Sequence, residues 1–402
     1  MVDVAALTRR LAELIVSTGA NVQQGQLVTL GISPGKEELA RAITGAAYRR
    51  GARFVDVYSF DNLVKRERLL HADEDTLEYV PPWLAQRLLH LADEHGARIS
   101  LTGPQGGAEA LAGVDSARLG RDLLPYVKET MGVINRQVTN WCVSPGPSRE
   151  WAQLVYPDLS PEAAYERLWE AVAHIARLDE PDPAEAWRVR GEQLRAAADA
   201  LTERRFDAIR LHGPGTDLTV GLLPSSRWLA AGDITVDGVR HWSNLPTEEV
   251  FTSPDPLRAE GHVTATRPLL WYGIEADGLR VEFRDGRAVR IDAGKGAEAV
   301  RNVAAKDDGA SRLGELALVD GEGRIGALGT VFHETLLDEN AASHIALGAA
   351  YARGVDEGPD RERINKSAIH IDFMIGSPEI DVDGLTSDGS TVPVLRAGVW
   401  QI

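Results

Sequence analysis

A single cysteine, Cys142, serves all 402 residues of this chain. No intramolecular disulfide can form, and zinc sites built on four cysteines, or on two cysteines and two histidines, are excluded. So little cysteine fits a reducing compartment, and a cytoplasmic location is expected. Long apolar runs are also missing: no stretch reaches the roughly 18 residues of a membrane span. The N-terminus, MVDVAALTRRLAELIV, has neither a long apolar core nor a small-residue cleavage site. Its apolar residues Val4, Leu7, Leu11 and Leu14 recur at helical spacing, which predicts an amphipathic first helix and no signal peptide. Basic charge is short, with 43 Lys and Arg against 60 Asp and Glu, for a net −17. That balance argues against nucleic acid and anionic membrane as partners. Several motifs are lacking too. No G-x-G-x-x-G follows the first strand-like run, which ends in GISPGKE, and there is no Walker A sequence or G-x-S-x-G elbow. His333-Glu334 starts like H-E-x-x-H, but the fifth position is Leu337.

What is present points to two domains, since 402 residues exceed one typical hydrophobic core. The first part alternates. Strands are expected over Gln26–Ile32, Arg53–Phe60, Arg98–Thr102 and Gln137–Val143, with helices over Lys36–Arg50, Trp83–His95 and Ala117–Thr130. This order predicts an α/β domain with a parallel sheet. Two helical stretches, Ser160–Leu178 and Pro183–Leu201, flank the turn-rich DEPDP, and the boundary is placed there, giving domains 1–180 and 181–402. Beyond it short strands dominate, with hairpin-type turns at Asp277-Gly278 and Asp285-Gly286, so the second domain reads as β-rich α+β.

The polar residues that need explaining lie in that second domain. From Ala341 to Ala352 the chain carries no charge and mostly small side chains, which predicts a buried helix starting near Asp338 or Asn340. On a helix His344 and Tyr351, seven residues apart, would share a face, with Glu339 near its start. A core histidine bonded to a backbone carbonyl is the plain alternative. Glu248-Glu249 follows a proline in NLPTEEVF, and Glu315 sits inside the apolar run LGELALV. His370 and Asp372 lie in AIHIDFMIG, where period-2 alternation puts them on one face of a strand. A buried His–Asp pair needs compensation by a charge partner or a divalent cation. Taken together, Glu249, Glu315, Glu339 and Asp372 bring four negative charges, and His344 and His370 two neutral nitrogens. Two divalent cations would balance that set, and oxygen and nitrogen donors without sulfur suit zinc, cobalt or manganese.

The blocks NLPTEEVFTSPD, LGELALV, FHETLLDENAASHIALG-x-AY and HIDFMIGS, with REWAQLVYP and GPGTDLTVGL, occur in one order along the chain. In them the sequence resembles the aminopeptidase T / aminopeptidase S family of metallopeptidases, most densely after residue 210. The resemblance implies a two-metal site of three glutamates, two histidines and an aspartate, here Glu249, Glu315, Glu339, His344, His370 and Asp372, with Tyr351 nearby. It implies removal of the N-terminal residue from short peptides by metal-activated water, in a homodimer whose first domain screens the site within a cavity. Within that frame Glu315 is expected to bridge the metals, Tyr351 to donate to the oxyanion and Glu248 to act as general base. The alternative is a related branch of ring-cleaving dioxygenases with one iron on a His/His/Asp site. A non-catalytic peptide-binding protein is a third reading, which the full ligand set opposes. His212, His262 and Cys142 are expected to be structural.

Overall fold

The computed structural model describes residues 2–105, 113–122, 124–125, 129–271 and 274–402. They form two compact units: residues 1–189, 232–247 and 332–336 in the first, and residues 190–231, 248–331 and 337–402 in the second.

The first unit opens with the helix Val4–Leu14, where Asp3 accepts from the Ala6 N–H at 2.8 Å and so caps a free donor of the first turn. Four parallel strands follow, ordered Phe54–Ser59, Leu27–Ile32, Ala97–Thr102, Asn140–Pro145 across the sheet. Helices Glu37–Arg49 and Pro82–Asp93 lie among the strands in sequence, as the alternation predicts. The helix expected over Ala117–Thr130 is instead two pieces, Ser116–Arg121 and Glu129–Arg136. Pro125 between them has no N–H to donate and its ring would clash with a preceding helical turn. Residues 123 and 126–128 of that stretch lie outside the described residues.

Cys142 is buried in the last of these strands. A Cβ on Gly19 would come within 2.7 Å of its sulfur, so the turn after the first helix presses directly on the strand. Burial raises the thiol well above its usual range, which makes it a small apolar side chain. Iodoacetamide is therefore expected to label the folded protein at least about 100-fold more slowly than the denatured chain. Fast labelling of the folded form would show that this side chain is exposed.

The second unit holds an eight-stranded and a five-stranded sheet. The five-stranded sheet is antiparallel, ordered His370–Met374, His344–Gly348, Leu313–Val319, Glu249–Thr252, Leu229–Ala230. All seven residues of Leu313–Val319 and all five of His344–Gly348 are buried. This corrects the expected helix over Asp338–Ala352. The only helix there is Thr335–Glu339, which ends where the expected one would begin. A strand covered on both faces shows no polar–apolar alternation, so its composition matches that of a buried helix. Gly348, at φ +107°, takes a backbone conformation that side-chain-bearing residues rarely adopt, and it ends the strand ahead of Tyr351.

Candidate metal centre

Strand register places the polar residues. Glu315 pairs with Ala346 and Ala346 with Asp372; Ala317 pairs with His344; Gly348 pairs with His370; and Glu249 pairs with Val319. Alternate residues of a strand share a face, and paired residues lie side by side. Glu249, Glu315, His344, His370 and Asp372 therefore project from one face of one sheet. The neighbours between them are Ala317, Ala346 and Gly348, which take up little of the space above that face.

The side chains converge as this register requires. His344 Nε2 lies 3.2 Å from Glu249 Oε2 and 3.6 Å from Glu315 Oε1. His370 Nε2 lies 3.7 Å from Glu315 Oε2 and 3.3 Å from Asp372 Oδ1. Glu315 thus turns one oxygen toward each imidazole. Two groups suited to a metal ion result, Glu249–Glu315–His344 and Glu315–His370–Asp372, and Glu315 belongs to both. Each imidazole is oriented from behind: His344 Nδ1 is 3.2 Å from the Ala342 carbonyl and His370 Nδ1 is 2.7 Å from that of Ala349. A carbonyl only accepts, so Nδ1 carries a proton and Nε2 is the nitrogen turned toward the carboxylates, the orientation of metal-ligating histidines.

The electrostatics describe a site built for positive charge. Burial raises Glu339 well above the carboxylate range, reinforced by the charges of Asp372 and Glu249. Burial likewise raises Glu315, against the pull of His344. Burial opposes protonation of both histidines, but neighbouring carboxylates outweigh it: His344 is raised well above its ordinary value, and His370 is raised to about 10. Burial also works against the Asp372 anion, yet His370 holds its pKa below the usual value. Protons therefore balance the carboxylates when no cation does so. Glu249 Oε2 and Asp372 Oδ1 are buried and accept no hydrogen bond, despite the nearby imidazoles. Two such oxygens beside two correctly presented nitrogens fit divalent ions with oxygen and nitrogen ligands.

Tyr351 packs edge-on against His370, with ring centroids 5.4 Å apart, and against Phe251 at 5.8 Å. The shared helical face expected for His344 and Tyr351 does not exist; the phenol arrives by way of the turn after Gly348. Burial raises it well above its usual range, with Glu315 and Asp372 adding to the effect, so it stays a proton donor. Glu248 is wholly buried and accepts from Arg190 Nε at 2.6 Å. His212 Nε2 contacts Asp383 Oδ2 at 2.9 Å on adjacent strands of the eight-stranded sheet, and His262 lies on a third strand there. Glu334, from the broken H-E-x-x-H pattern, belongs to the first unit, where its charge acts on buried Lys36. Arg190 was not singled out by sequence, and Asn340 only as a candidate start of the expected helix. Arg190 lies in the charged helix Pro183–Arg204, and nothing in its local pattern separates it from a solvated arginine.

Comparison with known proteins gives the family and the fold. The family model described as thermophilic metalloprotease (M29) matches residues 5–400. The chain is 40% identical over 401 residues to aminopeptidase T of Thermus aquaticus, covering 98% of each. It is 37% identical over 404 residues to aminopeptidase PepS of Streptococcus thermophilus, covering 98% of this chain and 97% of that one. Among solved structures, wild-type AmpT from Thermus thermophilus superposes with a TM-score of 0.88 at 39% identity, covering 99% of both chains.

Proposed function

This chain belongs to the thermophilic metalloprotease (M29) family and is a metal-dependent aminopeptidase, and from that premise we propose how its residues divide the work. Glu249, Glu315, Glu339, His344, His370 and Asp372 hold two divalent ions, of zinc, cobalt or manganese, with Glu315 shared between them. The observation that carries this reading is the Glu315 carboxylate, one oxygen toward each histidine. Ions bound there would supply Lewis acidity toward the peptide carbonyl and lower the pKa of a water. Tyr351, kept protonated, donates to the developing oxyanion. Glu248, expected from sequence as the general base, is proposed instead as an anchor, because its carboxylate is wholly buried and held by the Arg190 guanidinium. The relatives are aminopeptidases, and nothing in them supports the one-iron dioxygenase alternative.

The substrates proposed are short peptides with a free amino end. A cytoplasmic homodimer is proposed with them, in which residues 1–180 form the screening domain. Among the described residues no helix is long and apolar enough to cross a membrane.

Elemental analysis of purified protein is expected to give two divalent ions per chain. Activity should disappear on exhaustive chelation and return with zinc, cobalt or manganese. Uptake by the metal-free protein should release protons at pH 7. His344, His370 and Glu339 have pKa values above their ordinary ones without metal, so ions must displace protons, and affinity should fall as pH falls. Full activity with one ion per chain at saturation would overturn the two-ion arrangement.

A further inference from the structure

Asp338, Glu339 and Asn340 are consecutive and all buried. Each side chain has a different engagement. Asp338 accepts from Arg267 Nη1 at 3.2 Å, and the same Arg267 nitrogen donates to the Thr330 carbonyl at 2.9 Å. Glu339 feels the charges of Asp372, Glu249 and Glu315, which places it with the metal-centre carboxylates. Asn340 has no exposed surface, and both ends of its carboxamide are used. Oδ1 accepts from the Glu248 backbone N–H at 2.6 Å, and Nδ2 donates to Glu339 Oε1 at 3.4 Å.

The residue held by Asn340 Oδ1 immediately precedes the ligand Glu249. Its own carboxylate is held in turn. Arg190 Nε donates to Glu248 at 2.6 Å, and Arg190 Nη2 donates to both oxygens of Asp320 at 2.9 and 3.1 Å. Trp400 Nε1 donates to Asp320 Oδ2 at 2.9 Å. Asp320 follows Val319, the residue paired with Glu249 at the end of the strand that carries Glu315. One buried network therefore fastens three segments, and each segment carries one of the metal-centre glutamates.

We propose that Asn340 is a positioning residue of the metal centre: its carboxamide ties the Glu339 carboxylate to the backbone beside Glu249, with Arg190 and Glu248 as the anchor. The inference rests on the two-ion reading above. Asparagine suits the place because one planar group offers an acceptor to an N–H and a donor to a carboxylate at once. Aspartate keeps the shape and the acceptor but loses the donor, and it sets a like charge beside Glu339. Alanine loses both interactions and leaves a buried N–H to find another partner.

The test is calorimetric titration of metal-free wild type, Asn340→Asp and Asn340→Ala with zinc alone, alongside cobalt absorption spectra. Wild type should show two binding steps. In Asn340→Asp one step should weaken by about 10- to 100-fold, the usual effect of losing a ligand-orienting hydrogen bond. The other step should move by less than about threefold. The cobalt spectrum of the weakened site should change. Excess metal should restore much of kcat, with KM for a peptide nearly unchanged. Circular dichroism of the metal-free variants reads folding, and Asn340→Asp, being isosteric, carries the test if the alanine variant does not fold. Two unshifted steps in Asn340→Asp beside two in wild type would overturn the positioning role alone. One step or none in wild type would overturn the two-ion reading and this inference together.

Discussion

His344→Ala or Asp372→Ala is expected to lower kcat/KM by at least about a thousandfold while leaving a folded chain, since each removes a proposed metal ligand from one half of the centre. Among the described residues, His344 is the only nitrogen donor grouped with Glu249 and Glu315, and Asp372 the only carboxylate besides Glu315 grouped with His370. Losing either takes one donor from a group of three, and an ion held by what remains would dissociate more readily. The control is His212→Ala. His212 contacts Asp383 on a neighbouring strand of the other sheet, and Asp383 keeps Arg396 as a partner when the imidazole is gone. That variant should keep most of its activity. The comparison requires steady-state kinetics together with metal analysis and circular dichroism on all three proteins. If His212→Ala proved as damaging as His344→Ala at equal metal content, the site would have been placed on the wrong sheet.

Acetylating the amino end of a good peptide substrate should abolish its cleavage, with a rate below about a thousandth of that of the free peptide, because orientation of a bound reactant contributes several orders of magnitude. The sheet face that carries the carboxylates of Glu249, Glu315 and Asp372 favours a substrate bearing an amine, and an amide in its place can neither ligate an ion nor carry positive charge. The chain offers no covalent route that would bypass this demand. Cys142 is buried in the first unit with its thiol pushed upward, and the sequence has no serine elbow. No acyl-enzyme burst is therefore expected. Leucyl-p-nitroanilide and a tripeptide should each lose one N-terminal residue, and large folded proteins should be cut poorly if the cavity is enclosed. A mass-spectrometric time course on paired free and acetylated peptides decides the matter. Equal cleavage of both, or cuts at internal bonds, would identify an endopeptidase or another hydrolase.

The sequence by itself determined the parallel sheet of the first unit, because strand and helix periods alternate there with clear turn residues between them. It also determined that His370 and Asp372 share a face, because two residues apart on a strand admits no other outcome. The donor types suggested divalent cations, and the family resemblance carried by the sequence blocks turned that into a two-metal peptidase reading. Tertiary structure decided the rest. Whether HIALG is a strand or a helix depended on burial of both faces, which erases the alternation that would mark a strand. Five of the metal-binding candidates, Glu249, Glu315, His344, His370 and Asp372, meet only through strand register, which no local pattern encodes, while Glu339 comes from the end of the helix Thr335–Glu339. Glu248 was visible as the neighbour of a ligand, but its role turns on Arg190, 58 residues earlier in the chain, and on Asn340, 92 residues later. A buried arginine and a surface arginine have the same letter in a sequence. Only the fold, by removing water from around Arg190, Glu248 and Asp320, turns their charges into a fixed buried network beside the proposed ligand Glu249.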